Sequence, residues 1–174
     1  NPGPEGRGDR DGEGHLQRRL EPPRWIDVHH PAHVHVFAPV RELLLARGHE
    51  VDVVARDKDL TIPLLEEFGI PHEPLSVERG RAALPLEMSL RFARLFVKCL
   101  RTRPDVCLGI AGLSITHVGA TLGIPTLVLT DTESARLSLR LHLPFATAIL
   151  TPRCWEGADY GERHLRYPGY HELF

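Results

Sequence analysis

The feature that most constrains this chain is an alternation, sustained from Trp25 to Thr151, of short β-branched or apolar runs with longer helix-like segments. Strands that alternate with helices build a mostly parallel sheet, because each crossover helix must bury its apolar side on a sheet face. Trp25–His29, Val51–Ala55, His72–Leu75, Asp105–Ile110, Thr126–Thr130 and Ala146–Thr151 read as strands. Helices are predicted over Val36–Arg47, Leu60–Phe68, Pro85–Arg101, Ser114–Leu122 and Glu133–Leu141. Gly48, Gly69 and Gly123 supply stop signals and Pro104 breaks the longest helix. In that longest helix Leu86, Leu90, Ala93, Val97 and Leu100 share one face, with Glu87, Arg91, Arg94, Lys98 and Arg101 opposite, the pattern of an amphipathic surface helix. The expected architecture is α/β and Rossmann-like, with helices on both faces of the sheet.

A chain of 174 residues is long enough for one domain with a real core. Its net charge of −2 argues against a broad nucleic-acid footprint. No apolar run approaches the roughly 20 residues that span a bilayer, so no integral membrane segment is expected. The cysteines Cys99, Cys107 and Cys154 are odd in number and form no paired motif, which reads as reduced thiols in a cytoplasmic protein. Residues 1–24 are rich in Gly, Pro and charge and read as a disordered or non-native extension. Residues 25–166 form the expected domain. Residues 167–174 read as the start of an interdomain linker whose second domain is absent.

Chemistry concentrates where strands end. Open α/β sheets place ligands at the carboxyl edge of their strands. Trp25-Ile26-Asp27-Val28-His29-His30-Pro31-Ala32-His33-Val34-His35 puts a carboxylate and four imidazoles at such an edge. With the helix beginning at Val36, His33 and His35 fall in the turn before it, beside N–H groups that favour an anion. Imidazoles there can exchange protons near neutral pH. A metal site on His30, His33 and His35 competes with this reading, as does a set of half-exposed turn histidines.

Three other turns carry candidates. Arg56-Asp57-Lys58-Asp59 offers Arg56 to an anion, or simply a solvated charge run with Asp59 as a helix cap. Gly109-Ile110-Ala111-Gly112-Leu113-Ser114 permits close backbone approach by a ligand, or equally tight helix–strand packing with Ser114 as a cap. Thr130-Asp131-Thr132-Glu133 places two carboxylates where proton transfer is done, unless Asp131 or Thr132 caps a helix and Glu133 satisfies its first turn.

These turns, with Tyr167-Pro168-Gly169-Tyr170-His171-Glu172-Leu173, together resemble a family of uncharacterised proteins, a domain of unknown function, grouped near the UDP-N-acetylglucosamine 2-epimerases. The resemblance runs from about Trp25 to Phe174. It implies the N-terminal half of a two-domain glycosyltransferase-B-like fold. It also implies an active-site role for Glu133, which matches the position of the epimerases' glutamate. His35-Val36-Phe37-Ala38-Pro39 is similar to the first-helix motif of lipid-linked N-acetylglucosaminyltransferases, with the proline displaced by one position. Two departures count against epimerase chemistry. The turn after Asp105–Ile110 lacks a carboxylate, and histidines stand where the epimerases use an arginine.

The expected function is the N-terminal domain of a glycosyltransferase-like or epimerase-like protein that handles a UDP-sugar or a glycan acceptor. It needs no cofactor beyond that substrate and is inactive without its second half. His33 or His35 is expected to act as general base or phosphate partner, and Asp131 or Glu133 as acid/base or sugar-hydroxyl ligand. Asp27, His29, His30, Arg56, Gly109, Gly112 and Ser114 are expected to contact the ligand. A metal-dependent hydrolase built on His30, His33 and His35, or a non-catalytic ligand-binding domain, are the alternatives.

Overall fold

A computed structural model describes residues 22–169 of the chain. The expected extension lies outside the described residues up to Glu21, as does the expected linker from Tyr170 onward.

Seven strands form one all-parallel sheet, β1 (Arg24–Val28), β2 (Val51–Asp57), β3 (Glu73–Val77), β4 (Val106–Ile110), β5 (Thr126–Leu129), β6 (Ala148–Pro152) and β7 (His164–Tyr167). Their spatial order is β3-β2-β1-β4-β5-β6-β7, so the chain reverses direction of travel across the sheet between β1 and β4. Five α-helices connect them: α1 (Pro31–Ala46), α2 (Thr61–Glu67), α3 (Leu84–Thr102), α4 (Leu113–Leu122) and α5 (Arg136–His142). The strand β7 has no counterpart in the sequence reading. His-Leu-Arg-Tyr has too little apolar character to signal a strand, and pairing with β6 creates it.

The core lies on both faces of the sheet, as period-two alternation along β1 requires. Ile26 and Val28 pack with Val34, Val36, Phe37 and Leu65 under α1 and α2. Trp25 points the other way, into a cluster with Leu95, Cys99, Cys107, Ile115 and Val118 from α3, β4 and α4. Asp27 shares that second face and is fully buried. Gly119 lets α4 approach β5: a Cβ there would lie 2.3 Å from Thr126 Cγ2.

Three expectations about local structure are corrected. First, α1 starts at Pro31, not Val36, so His33 and His35 lie within its first turns. Pro31 suits the opening position because its missing N–H would have had no helical partner. Pro39 therefore falls inside the helix. Second, neither Asp59, Ser114, Asp131 nor Thr132 caps a helix: the caps are Leu60, Gly112 and Ala135, and α5 begins at Arg136 rather than Glu133. Third, α3 turns the N-terminal half of its charged stripe inward, burying Glu87 and Arg91, while Arg94 and Arg101 stay exposed. Its buried positions are Glu87, Arg91, Leu95 and Cys99, while Leu86, Leu90, Val97 and Leu100 are exposed.

Candidate functional site

A cleft of about 520 Å³ opens at the carboxyl ends of β1, β4 and β5. This is where the order reverses, the place an open α/β sheet offers a ligand. Its walls come from the start of α1 (Ala32, His33, His35, Val36), the turn after β4 (Ile110, Ala111), and the turn after β5 (Thr130, Asp131, Thr132) with Ser138 and Leu139 of α5. Ala111 sits at φ 47°, a left-handed conformation costly for a residue with a Cβ. The strained turn brings its backbone to the cleft.

The histidines organise one another. His30 caps α1, its Nδ1 accepting the Ala32 N–H at 3.3 Å, while its carbonyl accepts the His33 N–H at 2.9 Å. His33 Nδ1 accepts the His29 N–H at 3.4 Å. A ring nitrogen that accepts carries no proton, so this pattern assigns neutral His30 and His33 the tautomer with hydrogen on Nε2. His33 thus presents a donor rather than a lone pair. His35 lies further along, its ring edge-on to Phe68 at 5.4 Å. Among the described residues no group of three His, Cys, Asp or Glu side chains is placed to hold a metal ion. Two of the imidazoles in the alternative hydrolase set are already committed to backbone N–H groups.

Beneath the cleft runs a buried ionic network that the sequence did not reveal. Asp27 Oδ1 pairs with Arg91, a residue 1% exposed. Arg91 Nη1 also donates to Ala55 O at 3.0 Å and Ser76 Oγ at 3.3 Å. Next to it Arg56 donates twice to Glu87, at 2.7 and 2.9 Å, a fork-to-carboxylate match that holds the Glu87 carboxyl below the usual range. Glu78 stands 3.6 Å from the same guanidinium. Asp27 Oδ2 accepts no hydrogen bond and faces His29 Nε2 at 3.5 Å. Burial pushes the His29 pKa down, Asp27 opposes this, and Arg91, Arg56 and His30 reinforce it.

The structure brings His33, His35 and Asp131 to one cleft, with His29 and His30 ringed closely around His33 at centroid separations of 5.0 and 5.9 Å. Other expected residues lie elsewhere. Asp27 is under the cleft floor, and Arg56 is occupied by carboxylates. Gly109 and Gly112 serve close packing, since a Cβ would come within 3.2 and 2.5 Å of Ile115 Cγ2. Ser114 is buried at the start of α4, lining a separate groove. Glu133 lines a different cavity, where its Oε1 accepts the Glu156 N–H at 3.3 Å. Arg91 and Glu87 were missed because they read as the solvent face of α3.

The depressed His29 and His142 pKa values, both due first to burial, fix a pH response. Each is neutral in the fold, so below its ordinary value of 6.5 the unfolded chain takes up protons first. Stability is complete above that pH and falls as the pH drops toward the folded values, by at most about 1.4 kcal/mol per pH unit for each group. Urea unfolding at a series of pH values should show this decline, and His29→Gln should make it shallower. An unchanged slope in the variant would remove His29 from the account.

Comparison with known proteins places this geometry. Among solved structures, MurG from Acinetobacter baumannii superposes with a TM-score of 0.67 at 17% identity, covering 83% of this chain and 45% of that one. A UDP-GlcNAc 2-epimerase from Neisseria meningitidis, bound to UDP-GlcNAc, gives 0.63 at 13% identity, covering 74% and 40%. The spinosyn forosaminyltransferase SpnP gives 0.61 at 14% identity, covering 83% and 50%. At such identities the likeness shows a shared fold, that of glycosyltransferase-B-type structures, of whose length the chain spans half or less. No curated protein matches the sequence. No helix among the described residues is long and apolar enough to cross a membrane. Residues 23–171 match the family described as a protein of unknown function, DUF354, and the chain belongs to that family.

Proposed function

We propose that this chain is the N-terminal domain of a glycosyltransferase-like or epimerase-like enzyme acting on a sugar nucleotide, and that the cleft at the β1–β4 reversal receives its sugar or acceptor side. The observation that carries this reading is the convergence of His33, His35 and Asp131 on one cleft at the ligand edge of the sheet. Two of the solved relatives by fold are described in complex with UDP-GlcNAc, which suggests the ligand to try first.

The roles follow from the tautomers. His33, with hydrogen on Nε2, donates to an anionic or carbonyl oxygen of the ligand. Asp131, whose Oδ1 already accepts the Thr132 hydroxyl at 3.0 Å, accepts a sugar hydroxyl and takes its proton if that oxygen is the nucleophile. His35 supplies a second imidazole on the same helix wall. Glu133, on the far side of α5, acts in this cleft only if the turn after β5 rearranges.

The test is calorimetric titration of the chain with UDP-N-acetylglucosamine, with amide shifts to locate it. Binding should map to residues 32–36 and 130–132. Asp131→Asn and His33→Ala should each weaken it by about tenfold or more, the cost of one hydrogen bond to a charged group. Absence of binding, or binding indifferent to both substitutions, would count against the proposal.

A further inference from the structure

Behind α5 lies a second cavity of about 660 Å³, which shares Leu139 with the first cleft but has its own charged groups. Arg136 and Arg140 both line it. They stand four residues apart on a helix of seven residues, where like charges are neighbours and weaken the helix. Among the described residues neither guanidinium has an ion pair or a side-chain hydrogen bond to offset that repulsion. A third guanidinium on the lining, Arg163, is held by its own backbone contacts, donating to Ala146 O at 2.9 Å and Pro144 O at 3.5 Å.

The rest of the lining is not cationic. Glu133 and Glu156 contribute carboxylates, and the Glu156 N–H to Glu133 contact ties the turn after β5 to the segment after β6. Tyr160 contributes a ring steadied edge-on against His164 at 5.3 Å. Beside it Trp155 is fixed by donation of its Nε1 to Ala158 O at 3.0 Å, and Gly157 lies so close that a Cβ would come within 2.5 Å of the indole. This wall is preformed.

We propose that this cavity is a binding site for a phosphorylated sugar. Three guanidiniums suit a phosphate. Two carboxylates accept hydrogen bonds from hydroxyls, and the half-buried Tyr160 ring suits the C–H side of a pyranose. A bare anion would meet repulsion from Glu133 and Glu156, whereas a ligand carrying both phosphate and hydroxyls satisfies both sets. The site stands on its own residues and not on the role given to the first cleft.

The test titrates the 174-residue chain at low ionic strength with glucose 1-phosphate, inorganic phosphate and glucose in separate arms, read by calorimetry and amide shifts. Glucose 1-phosphate should bind saturably and shift residues 136–140 and 155–160. Inorganic phosphate should bind about tenfold more weakly or worse, and glucose not measurably, since each lacks half of the contacts. Arg136→Gln with Arg140→Gln should weaken sugar-phosphate binding at least about tenfold. The same pair should leave the melting temperature unchanged or raise it, because it removes a like-charge repulsion. Asp131→Asn, in the other cleft, should leave this binding intact, which separates the two sites. Lack of saturable binding, shifts confined to the first cleft, unchanged affinity in the double variant, or equal affinity for inorganic phosphate would each overturn the proposal.

Discussion

Arg91→Met is expected to destabilise the folded chain by about 3–5 kcal/mol, the usual cost of leaving one member of a buried ion pair without its partner. The reason is local. Asp27 is fully buried on β1, its Oδ1 is paired with Arg91, and its Oδ2 accepts no hydrogen bond. Removing the guanidinium strands a carboxylate under the cleft and leaves Ala55 O and Ser76 Oγ without a donor they now use. Asp27→Asn should cost less, because the amide keeps an acceptor for Arg91. In a double-mutant cycle the two should couple by more than about 1 kcal/mol. The electrostatic signature goes further than stability. Arg91 lowers the His29 pKa and Asp27 raises it, so Arg91→Met should move the His29 titration up and Asp27→Asn should move it down. An NMR titration of the His29 ring that moved in the same direction in both variants would break the proposed link between the ionic network and the cleft.

Leu95→Ala should cost about 2–5 kcal/mol, whereas Leu90→Ala should cost less than about 1 kcal/mol. Both leucines lie on α3, and by apolar pattern alone Leu90 is the better core candidate. Leu95 has no exposure, while Leu90 is 50% exposed. Leu95 sits among Trp25, Val54, Leu75 and Cys107, and truncation would leave a cavity that this packed face cannot easily close. Urea unfolding of the two variants decides the matter. A Leu90→Ala cost above about 2 kcal/mol would mean that α3 is rotated from the position described or that its outer stripe is covered.

These two results bracket what could be read in advance. Six of the seven strands and all five helices were legible, because period-two and helical spacing are local properties and glycines such as Gly123, at φ 69°, mark helix ends by their own conformational freedom. The start of α1 was misplaced. A helix that begins at Val36 would hold Pro39 in its first turn, whereas Pro31, the true opening residue, lies within the histidine run. Gathering of His33, His35 and Asp131 at one edge followed from the rule for open parallel sheets. Separation of Asp131 from Glu133 did not, because two carboxylates two positions apart on a turn diverge according to where the next helix begins, and α5 begins three residues later than its pattern suggested.

The linear order of residues determined the α/β class, the five helical crossovers and the strand ends at which a ligand could be met. Those depend on contacts within one segment or on rules that hold for any parallel sheet. Only the tertiary structure decided which face of α3 is buried, which arginine completes Asp27, and that Arg136, Arg140 and Arg163 share a cavity. An ion pair between residues 27 and 91 depends on two distant segments meeting. A charge stripe on an isolated helix looks solvated until an oppositely charged strand end is brought against it.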